Sequence, residues 1–455
     1  MTERHPEDAG VSPTRPNALL AALLAVVVIL SAVIYMGVEA GDGRDEDTLA
    51  APLSPYDSAA AAAPASTGIW VGTWAAAPVS GEPGTEAAGM AGRTVRNVVH
   101  TSVGGTSARV TLSNLYGTRP LNVTAATLAV AADDDAPAAA EGTLRRLTFG
   151  GLPTVVVPAG GHTVSDAVAL VVPRDADMLV STYTPTSSGP VTHHPYARST
   201  SYVAAGERTE DVTGDAYTGE SGSWRYLTAL DVLSGEADGT VVAFGDSLTD
   251  GITSTMDADR RWPDVLSDRL RDAASDGRDA PRYGVVNAGI SGNRVLADGG
   301  RAAGNAAGVK RFARDVLGRP HVKVVVIDLG VNDILRHPSG NDADAIVAGL
   351  RTLVSSAHAH GVKAVGATLM PFRGHPSHSD ARERVRQRVN AELRSGTVFD
   401  ELVDLDEALR DPYDPRSLRA EYDSGDGLHP SDAGYRRMAQ AVELEQLEGA
   451  APARL

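Results

Sequence analysis

The apolar positions of this 455-residue chain change rhythm twice. Ala18–Val38, ALLAALLAVVVILSAVIYMGV, is apolar and uncharged throughout, and about 20 such residues suffice to cross a bilayer as a helix. Gly41 to Gly68 is charged, then rich in Ala, Pro and Ser, with no period that would bury a face, which predicts a flexible spacer. From residue 69 to 236 short β-branched runs (ARVTLSNLYG, PTVVVPAGGHTV, AVALVVP, DMLVSTYTP) are separated by Pro, Gly and Asp. Such spacing without a helical stripe predicts an all-β sandwich, jelly-roll-like. From 237 to 449 the apolar strands VVAFG, YGVVNAG, VKVVVIDLG, VKAVGATLM and VFDELVDL alternate with helical patterns. In one helix Ile346, Leu350, Leu353, Val354 and Ala357 form the stripe and Gly361 the stop; Val385, Val389 and Leu393 mark the next. Continuously apolar strands between helices predict a parallel sheet covered on both faces, whose ligands bind beyond the strands' carboxyl ends.

Five segments follow: a tail (1–16), an apolar anchor or signal segment (17–40), the linker (41–68), the β-sandwich (69–236) and the α/β domain (237–449). The apolar segment is longer than the roughly 7–15 residues of a signal core. Arg4 and Arg15 precede it and Arg44 follows, so the pattern favours an uncleaved anchor with its amino terminus inside. The bulk of the chain is then expected outside the cytoplasmic membrane, anchored to it or secreted after cleavage.

Charge and cysteine content narrow the chemistry. A formal net charge of -17 argues against a nucleic-acid partner. With no cysteine there is no disulfide framework, thiolate nucleophile or Cys-ligated metal. Neighbouring His193 and His194 point to opposite faces of an extended segment and are expected on the surface or in a loop. His375 and His378, in a Pro-containing loop, are expected to be exposed. No cofactor or metal is expected.

Polar residues cluster after the strands. Ser247 follows VVAFG; Ser291, Gly292 and Asn293 follow YGVVNAG; Asn332 and Asp333 follow VVVIDLG; Asp426 stands three residues before His429 in a late loop. Each fits a turn or a cap by itself. Together they supply acyl-transfer chemistry: a hydroxyl at Ser247, an imidazole base at His429 and a carboxylate at Asp426 to orient it. The Ser247 and Gly292 backbone N–H groups and the Asn332 amide are candidate oxyanion donors. Asp328 is expected to be a paired polar group at a strand end, and the glycine-rich ADGGRAAGNAAG a mobile loop beside the site.

The blocks GDSLTDG, NAGISGN, LGVND and DGLHP, in that order, resemble those of the SGNH (GDSL) hydrolase superfamily. That resemblance implies a flavodoxin-like α/β/α domain and ester hydrolysis by a Ser247–Asp426–His429 triad with Ser247, Gly292 and Asn332 as the oxyanion hole. Trp262-Pro263 is similar to a pair found after the nucleophile block in some members. WVGTWAAAPVSG and RNVVHTSVGGTSARVTLSN resemble the amino-terminal β-domain of secreted actinobacterial SGNH proteins, and the two-domain layout is similar to that of certain carbohydrate esterases. The expected activity is removal of acyl groups, acetyl among them, from an acylated small molecule or polysaccharide. The alternatives are a lipid acyl-hydrolase and a non-catalytic surface protein that binds polysaccharide.

Overall fold

The computed structural model describes residues 68–134, 136–299, 305–336 and 342–449. The apolar segment Ala18–Val38 and nearly all of the linker lie outside the described residues. Among the described residues no helix is long and apolar enough to cross a membrane.

The carboxyl-terminal region is built on five parallel strands in the order Tyr283–Asn287, Gly239–Gly245, Val322–Asp328, Lys363–Ala367, Glu401–Val403. In chain order this is 2-1-3-4-5, which reverses direction between the first and third strands and opens a crevice at their carboxyl ends. Gly239–Gly245 is buried along its whole length, as its unbroken apolar run requires when neighbours pair on both edges and helices cover both faces. The helix Trp262–Ser275 packs with Asp432–Ala441, while Ala343–His358 packs with Asp380–Arg394. The Ile346, Leu350, Leu353, Val354 and Ala357 stripe is buried in the core, as are Val389 and Leu393, with Val385 at its margin.

The preceding region is antiparallel, with no helix among its described residues. A five-stranded sheet runs Ile69–Ala75, Leu227–Ser234, Gly105–Ser113, Val168–Val172, with His162–Val164 also on Gly105–Ser113. A six-stranded sheet centres on Arg93–His100 and Asp177–Thr184, and a small third sheet holds Thr192–His194 between Trp224–Arg225 and Ser80–Gly81. Side chains of the two larger sheets, among them Val110, Leu230, Leu128 and Val180, enter one apolar cluster.

The two regions share structure. Strand Ile69–Ala75 lies against the edge of the parallel sheet, where the Thr240 hydroxyl accepts from Gly72 N–H at 3.0 Å. The approach is close enough that a Cβ at Gly284 would sit 2.2 Å from Gly72 O, so only glycine fits. Ala75, Ala77 and Ala229 of the antiparallel region belong to the core of the parallel one.

Candidate active site

Ser247 opens a one-turn helix, Ser247–Asp250, directly after the central strand. Asp246 caps that helix, its Oδ1 accepting from Leu248 N–H at 3.1 Å, which points the Ser247 N–H and hydroxyl beyond the strand end. Ser247 is buried at the floor of a cavity of about 380 Å³ also lined by Gly292, Asn332 and His429.

The late loop brings its two groups to this serine. Ser247 Oγ lies 2.8 Å from His429 Nε2, and His429 Nδ1 lies 2.6 Å from Asp426 Oδ2. A carboxylate can only accept, so Nδ1 carries the proton and Nε2 accepts from the serine hydroxyl. The other Asp426 oxygen accepts from the Leu428 and His429 N–H groups at 2.9 and 2.8 Å. Burial alone raises the Asp426 pKa, but the bonds from the His429 ring and backbone outweigh it and hold the carboxyl below its ordinary value. Asp423 fixes the same loop by accepting from Gly425 and Gly427 N–H.

The candidate oxyanion donors come from two other strand ends. Asn332, in the short helix Val331–Leu335, donates one amide hydrogen to Asp246 Oδ2 at 3.0 Å and accepts from Arg336 Nε at 3.1 Å. Its amide has a second hydrogen to give. Gly292 has φ +75°, a left-handed conformation that favours glycine, and a Cβ there would press on the mobile end of the Arg336 side chain, 2.4 Å away. Carboxylates flank its loop: Asp250 Oδ2 accepts from Ser291 N–H and Oγ at 2.8 and 2.5 Å, while Asp333 accepts from Val295 and Leu296 N–H.

Beneath Ser247 lies a buried polar layer. Burial, and then the charge of Asp328, pushes the Asp246 pKa well above the usual carboxylate range. Asp328 ends its strand as expected and pairs with the Thr249 hydroxyl at 3.2 Å, with burial pushing its carboxyl up to about 7. Trp262, of the Trp-Pro pair, donates to the same Thr249 oxygen at 3.3 Å. Arg311, fully buried, donates to Gly245 O, Ala288 O and Asn293 Oδ1, bracing the carboxyl end of the central strand against the glycine loop.

Two histidine expectations need correction. His193 and His194 are not surface or loop residues: both side chains are buried in the Thr192–His194 strand. Alternation does aim them apart, but both rings are enclosed, His193 against the neighbouring strand Ser80–Gly81 of its own sheet and His194 against the helix Ser247–Asp250. His193 Nδ1 faces Ser80 O at 2.9 Å, and His194 Nε2 faces Asp250 Oδ1 at 2.9 Å. His375 and His378 are half-buried rather than exposed, and His375 lines the Ser247 cavity. Residues 300–304 of the glycine-rich loop lie outside the described residues.

A cluster that sequence reading missed joins the two regions. His100 Nδ1 lies 3.0 Å from Asp177 and 3.2 Å from Asp259, and Nε2 lies 3.2 Å from Asp175. His100, Asp177 and Asp259 are close enough to share one cation, yet the carboxylates already satisfy a doubly protonated ring. Burial would lower the His100 pKa, but these acids, Asp177 first, raise it to about 9. No spacing in the sequence signals this contact, because its members lie on separate strands and a loop.

The family described as GDSL-like Lipase/Acylhydrolase matches residues 243–437. Among solved structures, the chain is similar to Est24, a carbohydrate acetylesterase from Sinorhizobium meliloti, at 19% identity over 44% of this chain and 95% of that one, TM-score 0.34. It is similar to a GDSL-like lipase from Bacteroides thetaiotaomicron VPI-5482 at 20% identity over 44% and 84%, TM-score 0.32. A third likeness is to TesA, at 25% identity over 44% and 94%, TM-score 0.31. No curated protein sequence matches the chain.

Proposed function

We propose that this chain, which carries a GDSL-like lipase/acylhydrolase domain over residues 243–437, is a serine esterase that removes short acyl groups, acetyl foremost, from carbohydrate or other polar substrates. The observation that carries the reading is the hydrogen-bonded series from Ser247 Oγ through His429 to Asp426, at 2.8 and 2.6 Å. In this account Ser247 Oγ attacks the ester carbonyl while His429 Nε2 takes its proton, and Asp426 stabilises the imidazolium. The tetrahedral oxyanion sits among the Ser247 and Gly292 N–H groups and the Asn332 amide. His429 then returns the proton to the departing alkoxide, leaving an acyl-enzyme. Water, deprotonated by His429, attacks that ester, and the carboxylic acid leaves as the proton returns to Ser247.

A short acyl group on a polar alcohol suits the mixed cavity lining, which combines apolar Ile252, Leu335 and Leu428 with polar Tyr196, Arg336 and His375. The antiparallel region is taken as a sandwich on the strength of its shared core. The uncharged Ala18–Val38 segment supports a place outside the cytoplasmic membrane, held by that segment. Protease treatment of intact cells tests it, since resistance of the folded region would place the region inside.

The enzymatic test is a p-nitrophenyl ester series from acetate to palmitate. Native protein is expected to turn over acetate best, and Ser247→Ala to lose hydrolysis while keeping its fold. A long-chain optimum would favour a lipid substrate; undiminished turnover in Ser247→Ala would remove the serine from the mechanism.

A further inference from the structure

The geometry points to His194, in the antiparallel region, as a positioning residue for the oxyanion hole, acting through Asp250 and Ser291. This rests on the esterase reading above and adds a role for the second region. His194 is buried, its ring tilted against Trp224 with centroids 5.5 Å apart. Nδ1 lies 2.7 Å from Ala77 O and Nε2 lies 2.9 Å from Asp250 Oδ1. Both facing atoms accept, so the ring and the Asp250 carboxyl together hold two protons and the pair is neutral overall. Asp250, equally buried, closes the helix that Ser247 opens.

The remaining Asp250 oxygen accepts both the N–H and the hydroxyl of Ser291, the residue before Gly292. A rigid route therefore runs from the backbone of Ala77 through His194, Asp250 and Ser291 to Gly292, whose N–H is a candidate donor to the oxyanion. Asp333 secures the loop on the far side at Val295 and Leu296, so His194 and Asp250 form the near clamp. Without His194, Asp250 keeps a buried oxygen with no donor, and the cheapest relief is to turn toward water and release Ser291. A shift of about 1 Å in an oxyanion donor is enough to cost on the order of 10²-fold in rate.

The test uses the full chain and p-nitrophenyl acetate. With kcat referred to the folded fraction read by circular dichroism, since a smaller folded fraction would itself lower kcat at constant KM, His194→Ala is expected to lower kcat about 10–100-fold with KM within about twofold. His194→Gln, whose amide reaches the Nε2 position, is expected to recover to within about fivefold of native. Ser291→Ala removes one bond to Asp250 without touching the core, and is expected to lower kcat about 3–10-fold. Combined with His194→Ala it should add nothing, because both break the same route. Native kcat in folded His194→Ala overturns the inference, as does equal loss in His194→Ala and His194→Gln with native kcat in Ser291→Ala. Should His194→Ala fail to fold, native kcat in Ser291→Ala alone overturns it. Ser247→Ala separates the two readings: if it stays active the esterase proposal fails, whereas if it is dead while the other variants keep native kcat, only the clamp fails.

Discussion

The two regions use buried polar residues in opposite ways. In the parallel region the strands are largely apolar, and the polar groups around the cavity stand where they end: Asp246 and Ser247 after one, Ser291 after the next, Asp328 and Asn332 at a third, while Arg311, Asp315, Glu383 and Arg386 are buried on helices. In the antiparallel region polar side chains are buried within the strands, as with Arg96, Asn97, Thr182 and His194. Strand ends free the backbone N–H and side chains to meet a ligand, whereas a side chain buried within a strand can only meet another part of the protein. Accordingly, the first region presents the groups that face the cavity, apart from Tyr196, and the second supplies groups that hold them. On the His194 proposal, a second region beside the candidate site need not bind a ligand to matter for catalysis.

The comparison breaks first at Ser247. Ser247→Ala should lower kcat/KM about 10⁴-fold or more, read with p-nitrophenyl acetate. Asn332→Ala should cost about 10²–10³-fold, chiefly in kcat, because the proposal has its amide serve the oxyanion rather than the bound ester. A rise in KM with unchanged kcat would instead make Asn332 a substrate-binding residue.

Stability sharpens the comparison. Leu350→Ala in the parallel region and Leu230→Ala in the antiparallel one each empty a fully packed site and should cost about 2–5 kcal/mol. With a shared core, both should shift one common unfolding transition in calorimetry; two transitions moving separately would show that the regions unfold independently.

The smallest effect concerns His100, which Asp175 and Asp177 approach from one region and Asp259 and Asp264 from the other, with Arg261 and Arg271 close by. Its folded pKa, about 9, stands above the ordinary 6.5, so its stabilisation is complete below pH 6.5 and is lost as pH rises through 9. Asp259, raised to about 7 by burial and then by Asp264, loses stability in the same direction at lower pH. The His100 contribution is up to about 3 kcal/mol, and Tm should fall by a few degrees between pH 6.5 and 9. His100→Gln should flatten that slope; an unchanged slope would assign it to other groups.

Much of the architecture was legible in the sequence, because continuous apolar runs and three-to-four spacing are local patterns. Ile346 to Ala357 announced a helix, and Val241 to Phe244 a doubly covered strand. The blocks holding Ser247, Gly292, Asn332, Asp426 and His429 were legible too, since each lies within a few residues of a strand end or a turn. Illegible were contacts between distant segments. His194 reads as half of a histidine pair, and only the folding of Thr192–His194 against the helix Ser247–Asp250 reveals Asp250 as its partner. Asp250 itself sits in view inside GDSLTDG, but its link to Ser291 depends on how two strand ends stack.

The central claim is that four separated segments place a nucleophile, its base and its oxyanion donors around one carbonyl. Intact-protein and peptide mass spectrometry after brief exposure to a fluorophosphonate tests it most directly. A single stoichiometric adduct on Ser247, formed far more slowly in His429→Ala, is the predicted result; folded native protein that takes no adduct, or takes it on another residue, would contradict the account.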